Sequence, residues 1–159
     1  SEWQYLRQLH VSGRVLVAGS YQEKLYGIAV DAGTVLWSFD AGNFINSHHV
    51  AGDTAYLWSP TGWIFALDVA SGALRWRHRT TDYSGAAGHW APVMAELVTD
   101  EGRLYALAMD DVLHVLDTAS GKETSRRKLP ERVRPSVLPI PAHGLAFAAA
   151  QGDVLLVAG

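Results

Sequence analysis

The side chains that could do chemistry in this chain are few, and the absence of one type narrows them at once. There are seven histidines, sixteen carboxylates and no cysteine. Disulfides, thiolate catalysis and cysteine-ligated metals are therefore excluded. His10 and His49 each stand three residues before a glycine, Gly13 and Gly52. An imidazole pair can ligate a transition metal or titrate near neutral pH. Thr99 and Pro141 hold the corresponding places further along the chain, so no third ligand recurs and no metal site is expected. The neighbouring His48 is expected on the opposite side of its strand. Asp110 and Asp111 are adjacent carboxylates, and Asp82 is a third candidate for the same surface. Ca²⁺ takes six to eight oxygens in a dedicated loop that this sequence lacks, and Asp is a favoured turn residue. The segment from Thr80 to Trp90 carries Asp82, Tyr83, His89 and Trp90 in a connection richer in aromatic and polar residues than its counterparts. It reads equally as a ligand- or partner-binding loop and as a plain insertion, with Trp90 packing on the strands below. No Gly-x-Ser-x-Gly elbow, phosphate-binding glycine loop or His-Glu-x-x-His is present.

A repeat must position these residues. Asp68-Val69-Ala70-Ser71-Gly72-Ala73-Leu74-Arg75-Trp76 follows an apolar run, and related segments lie at Asp31–Trp37 and Asp117–Ser125. The glycines Gly33, Gly72 and Gly121 are spaced by 39 and 49 residues; Gly13, Gly52, Gly102 and Gly144 form a second series spaced by 39, 50 and 42. Each glycine of the second series is expected in a tight turn before an apolar run. Short β-branched and aromatic runs with no sustained helical period argue for strands. In the second copy the strands are expected at about 44–50, 55–58, 63–67 and 73–77. A four-strand unit of this length that cannot bury its own apolar face must stack on copies of itself, which is the logic of a β-propeller blade.

The pattern Leu-Asp-x-x-(Ser/Thr)-Gly-x-x-x-Trp resembles the tryptophan-docking motif of the pyrroloquinoline-quinone-type (PQQ-like) propellers. Residues 68–76 match it in full. Residues 31–37 match with a turn that reads two residues shorter, and Ser125 replaces the tryptophan in the third copy. The resemblance covers nearly the whole chain. It implies one all-β domain over 1–159 with four blades at approximately 5–42, 43–79, 91–129 and 133–159. It implies that Trp37 and Trp76 are structural docking residues between blades, and that His10 and His49 line the central channel on the innermost strands. The fourth blade is expected to lack its outer strand. The chain then represents half of an eight-bladed ring or a piece of a longer polypeptide.

The resemblance also implies function. It points to non-enzymatic members of BamB-like or sensor type, which serve as protein-interaction or ligand-sensing scaffolds in a periplasmic or other extracytoplasmic setting. The alternative is a PQQ-dependent quinoprotein dehydrogenase fragment or a quinone-binding module without catalysis. Such enzymes use a catalytic Asp, a Ca²⁺ held by acidic and amide groups, a Trp floor under the quinone and often a vicinal cysteine pair. No such Ca²⁺ ligand set maps onto motifs of this chain, so no cofactor is expected, with PQQ and Ca²⁺ reserved for the alternative. A partner protein, or a second copy of the chain completing the propeller, is expected instead. The net charge of −3 gives no basic excess for nucleic acid. Arg126-Arg127-Lys128 reads as a solvated outer strand, and the longest apolar run, 145–150, is too short to span a bilayer.

Overall fold

The computed structural model is all-β among the residues it describes, which are 6–20, 24–42, 47–59, 62–80, 95–108, 112–129, 133–140, 144–149 and 154–157. The chain divides into two compact units, Ser1–Ala91 and Pro92–Gly159. Unit 1 holds two four-stranded antiparallel sheets. The first, blade 1, is β1 (Leu6–Ser12), β2 (Val15–Ser20), β3 (Lys24–Ala29) and β4 (Val35–Asp40). Blade 2 is β5 (Ser47–Ala51), β6 (Thr54–Trp58), β7 (Trp63–Asp68) and β8 (Leu74–Arg79). Unit 2 holds blade 3, made of β9 (Ala95–Asp100), β10 (Arg103–Ala108), β11 (Val112–Asp117) and β12 (Glu123–Lys128). Its last sheet, β13 (Val133–Ile140), β14 (Gly144–Ala149) and β15 (Val154–Val157), has three strands among the described residues. Every sheet runs in chain order, so each blade is a meander of consecutive hairpins.

The hairpin turns explain the two glycine series. In blades 1 and 2 the β1–β2 and β5–β6 turns open on Gly13 and Gly52, both with φ +57°. In blade 3 the equivalent turn is Glu101-Gly102, with φ +44° and +76°. The glycine has moved one place along the same two-residue turn. That shift, and not a change in repeat length, makes the second series read 50 where the first reads 49. Two positive φ values in succession is the hairpin geometry that matches strand twist. Gly144 departs from the expectation of a tight turn: it already lies in β14, paired with Ile140.

The three complete blades share a turn between their third and fourth strands. Gly33, Gly72 and Gly121 each donate a backbone N–H at 2.8 Å to the residue four back, Ala29, Asp68 and Asp117. The blade 1 turn is therefore the same length as the others, not two residues shorter. Its Asp has been displaced instead: Ala29 stands where Asp68 and Asp117 stand, and Asp31 sits two places later. After each turn the ladder carries a bulge at the same place, between Gly27/Ile28, Ala66/Leu67 and Val115/Leu116. A bulge leaves one residue of the fourth strand unpaired and re-aims its side chain.

Packing in unit 1 follows from alternation along the strands. Val15, Val17, Leu25 and Trp37 of blade 1 meet Ala55, Leu57, Phe65, Leu67 and Val69 of blade 2 in one buried cluster. Phe39 and Phe65 close it edge to face at 5.2 Å, a favourable aromatic geometry. All of β6 is buried, because the central strands of blade 2 are covered on both faces. This accounts for its unbroken apolar reading. In unit 2, Tyr105, Leu107, Leu113 and Leu129 form a separate cluster.

Candidate functional site

The best-defined constellation is the joint between blades 1 and 2, built around Trp37. The indole is 8% exposed. It lies over Gly27, its cross-strand partner on β3, where an added Cβ would sit 2.1 Å from the ring. On its other side is the turn of blade 2, where a Cβ on Gly72 would sit 2.6 Å from the ring. Nε1–H donates to the Val69 carbonyl at 2.8 Å. Two glycines and one carbonyl thus make a flat slot with an acceptor at its edge, which suits an indole. Trp76 is also buried, opposite Ala66 on its own sheet and 5.8 Å from Tyr56. Where Ser125 replaces the tryptophan, its cross-strand partner has grown to Val115.

In each of the three four-stranded blades, polar groups are occupied in fixing turns or in ion pairs within the blade. Asp68 Oδ1 accepts from the backbone N–H and the hydroxyl of Ser71, both at 2.8 Å. Asp117 accepts from Ser120 in the same way, at 2.8 and 2.6 Å. Arg75, the unpaired residue of the β8 bulge, reaches Asp53 through both terminal nitrogens at 2.9 Å and Asp68 at 2.7 Å. The Arg75 guanidinium, helped by Ser71, holds the Asp68 carboxyl down to about 2. It also lowers Asp53, and the two carboxylates raise Arg75 in return. In blade 1 the pair is Arg14–Asp31, with both partners largely exposed. In blade 3, Glu123 takes its place beside His114, at 2.6 Å from Nδ1. Burial pushes the Glu123 carboxyl up, but His114 and Arg126 outweigh it and the net direction is down.

The histidines form a cluster across β1 and β5. The ring centroids of His10 and His49, the expected channel pair, are 6.1 Å apart. His48 lies closer to His10, at 4.9 Å edge to face, and is buried at 3% exposure. It does alternate with His49 along β5, but its side of the strand is the one facing blade 1. Gly19 makes the room: a Cβ there would be 2.9 Å from His48 Nδ1. Burial first, and then His10, push His48 down to about 4, against a hydrogen bond to the Val17 backbone that raises it. Burial and His10 also lower His49. Among the described residues no group of three His, Asp or Glu side chains is arranged to hold a metal ion. Asp82, Tyr83, His89, Trp90, Asp110 and Asp111 lie outside the described residues.

A meandering four-strand blade, repeated with a docked indole and a shared turn, defines the PQQ-like β-propeller class. The family model described as outer membrane protein assembly factor BamB matches residues 3–96 and again 61–158, and the chain belongs to that family. Among solved structures it is similar to BamB from Moraxella catarrhalis, with a TM-score of 0.70 and 22% identity over 92% of this chain. It spans about half of that protein, 47% of its length. It is also similar to the computationally designed Ika4 protein, with a TM-score of 0.78 and 12% identity over 99% of this chain and 93% of that one. A third likeness is to AztD from Citrobacter koseri, with a TM-score of 0.66 and 16% identity over 83% of this chain and 37% of that one. These likenesses show the fold. No curated protein matches the chain.

Proposed function

We propose that the chain is a non-enzymatic protein-interaction scaffold of BamB-like type, acting outside the cytoplasm. The observation that carries this reading is the family match over both halves of the chain, to a family named for outer membrane protein assembly. The described geometry supports it. The acidic groups Asp53, Asp68, Asp117 and Glu123 are all committed to turns or to ion pairs within a blade. That leaves blade surfaces and connecting loops as the working parts, which is how a rigid scaffold presents contacts. The partner is a protein that supplies further blades. The loop residues Asp82, Tyr83, His89 and Trp90, with Asp110 and Asp111, are the proposed contact positions beyond the blades. Net charge −3 disfavours nucleic acid. No helix among the described residues is long and apolar enough to cross a membrane.

The scaffold and quinoprotein readings separate in one experiment. The chain is incubated with PQQ and Ca²⁺, passed through gel filtration, and its absorbance and dye-linked alcohol oxidation are measured. No retained chromophore and no oxidation are expected. A stoichiometric bound quinone with turnover would overturn the scaffold reading in favour of an oxidoreductase.

A further inference from the structure

The contact between blades 1 and 2 is built of two unlike parts. Its buried apolar core comes from β2, β3, β4, β6 and β7, and from Ala41 and Val69, which follow β4 and β7. Among the described residues, the inner strands β1 and β5 add only the half-buried Val50 to that core. What they bring together instead is three imidazoles. His10 of β1 meets His48 of β5 edge to face at 4.9 Å, and His49 lies 6.1 Å from the same ring. His48 is 3% exposed and fits because Gly19 of β2 has no side chain.

The strands around this cluster offer no countercharge. β5 packs against β1, β2 and β6. β1 carries Arg7 and His10, and β2 carries no titratable group. β5 carries His48 and His49, and β6 carries Tyr56, the cross-strand partner of His49. No Asp or Glu occurs in any of the four strands. At the adjoining turns, Arg14 pairs with Asp31 and Asp53 with Arg75. Blade 3 supplies the contrast: its buried His114 has Glu123 Oε1 at 2.6 Å from Nδ1. A proton on His48 is therefore a buried charge with only cations and imidazoles for company, which is costly. Burial, and then His10, accordingly hold His48 down at about 4.

We propose that the histidine cluster is a proton-operated latch on the inner edge of blade 2, which releases β5 from β1 and β6 in acid while the apolar core and the Trp37 joint stay closed. Release forfeits little apolar burial, since β5 brings only Val50 to the core. β5 is also the edge of its sheet, paired with β6. The direction follows from linkage. In the closed strand His48 stands at about 4, and in the released strand it regains its ordinary 6.5, so release takes up a proton. Above pH 6.5 the latch holds at full strength, and between 6.5 and 4 it weakens. At pH 5 the release equilibrium is favoured about thirtyfold over its value at pH 7.5. The latch goes beyond the interaction-scaffold reading and does not depend on it.

Hydrogen exchange on the full chain, expressed as protection factors at pH 7.5 and 5, tests the latch. The amides that pair β5 with β6 are expected to lose about thirtyfold in protection. At pH 5 they should exchange faster than the amides pairing β7 with β8, and low urea should accelerate them less, because a local opening exposes little surface. In His48→Gln the loss should fall to about fivefold or less, and His10→Gln, at the less buried ring, should shrink it as well. Protection at β5 that does not fall with pH, or that falls equally in both variants and the parent, would overturn the proposal. So would β5–β6 and β7–β8 amides that show the same protection and the same urea dependence at pH 5, since the strand would then open only with the whole unit. That last comparison uses the parent chain alone and decides the matter even where a variant does not fold.

Discussion

Trp37 touches two glycines, and that makes the joint testable one atom at a time. Trp37→Ala removes a buried aromatic and is expected to cost about 3–5 kcal/mol in urea melts, and Trp76→Ala a similar amount. Gly27→Ala adds one methyl group where the indole already lies, with the pair only 2.1 Å apart before adjustment. The flat ring cannot retreat from β3 without leaving Val69, so a loss of about 1–3 kcal/mol is expected. A Gly27→Ala protein as stable as the parent would show that the ring is not seated there. His48 gives a second residue-scale prediction. Its folded value is about 4 against an ordinary 6.5, so the unfolded chain takes up the proton first as pH falls. Stability is unaffected by this group above about pH 6.5 and declines between about 6.5 and 4, by up to ~3 kcal/mol. His48→Gln should flatten that slope in urea melts at pH 7.5, 6 and 5. An unchanged slope would place the titration elsewhere.

At the scale of the element, the turn between the third and fourth strands shows what was legible in the sequence and what was not. Its existence, and its glycine, were readable because Gly72 and its counterparts need a backbone that other residues resist. Its length in blade 1 was not. Asp31 resembles the motif Asp, and only the hydrogen bond from Gly33 to Ala29 shows that the Asp has moved while the turn has not. A physical difference follows. Asp68 is held by Ser71 and Arg75, whereas Asp31 pairs with Arg14 in the open. Exposed pairs contribute little. Asp68→Ala should therefore destabilise the protein measurably more than Asp31→Ala, and equal melting midpoints would contradict the assignment. The Asp68 carboxyl is depressed, so its contribution is present above its unfolded value near 3.8 and is lost as pH falls toward 2. The surroundings of His48 were unreadable for a related reason. Alternation along β5 is visible in the sequence, but which neighbour covers each side is not. The pairing of His48 with His10 depends on β1 and β5 lying side by side, and on Gly19 having no side chain.

At the scale of the molecule, blade 1 shelters blade 2 in one shared core. Repeat spacing, apolar runs and the Trp motif made the four blades readable, because each blade must solve the same packing problem. What covers the face of blade 1 was not readable, since exposure is a property of neighbours and not of composition. The central claim is that a blade gains stability from the indole placed on it by the blade before. Among the described residues, blade 2 receives that indole and blade 1 does not. Amide hydrogen exchange on the unaccompanied chain tests this directly, by comparing equivalent amides of β2–β3 with those of β6–β7. Blade 1 amides are expected to exchange at least about tenfold faster, the ratio for ~1.4 kcal/mol of local stability. Equal protection of the two blades would contradict it.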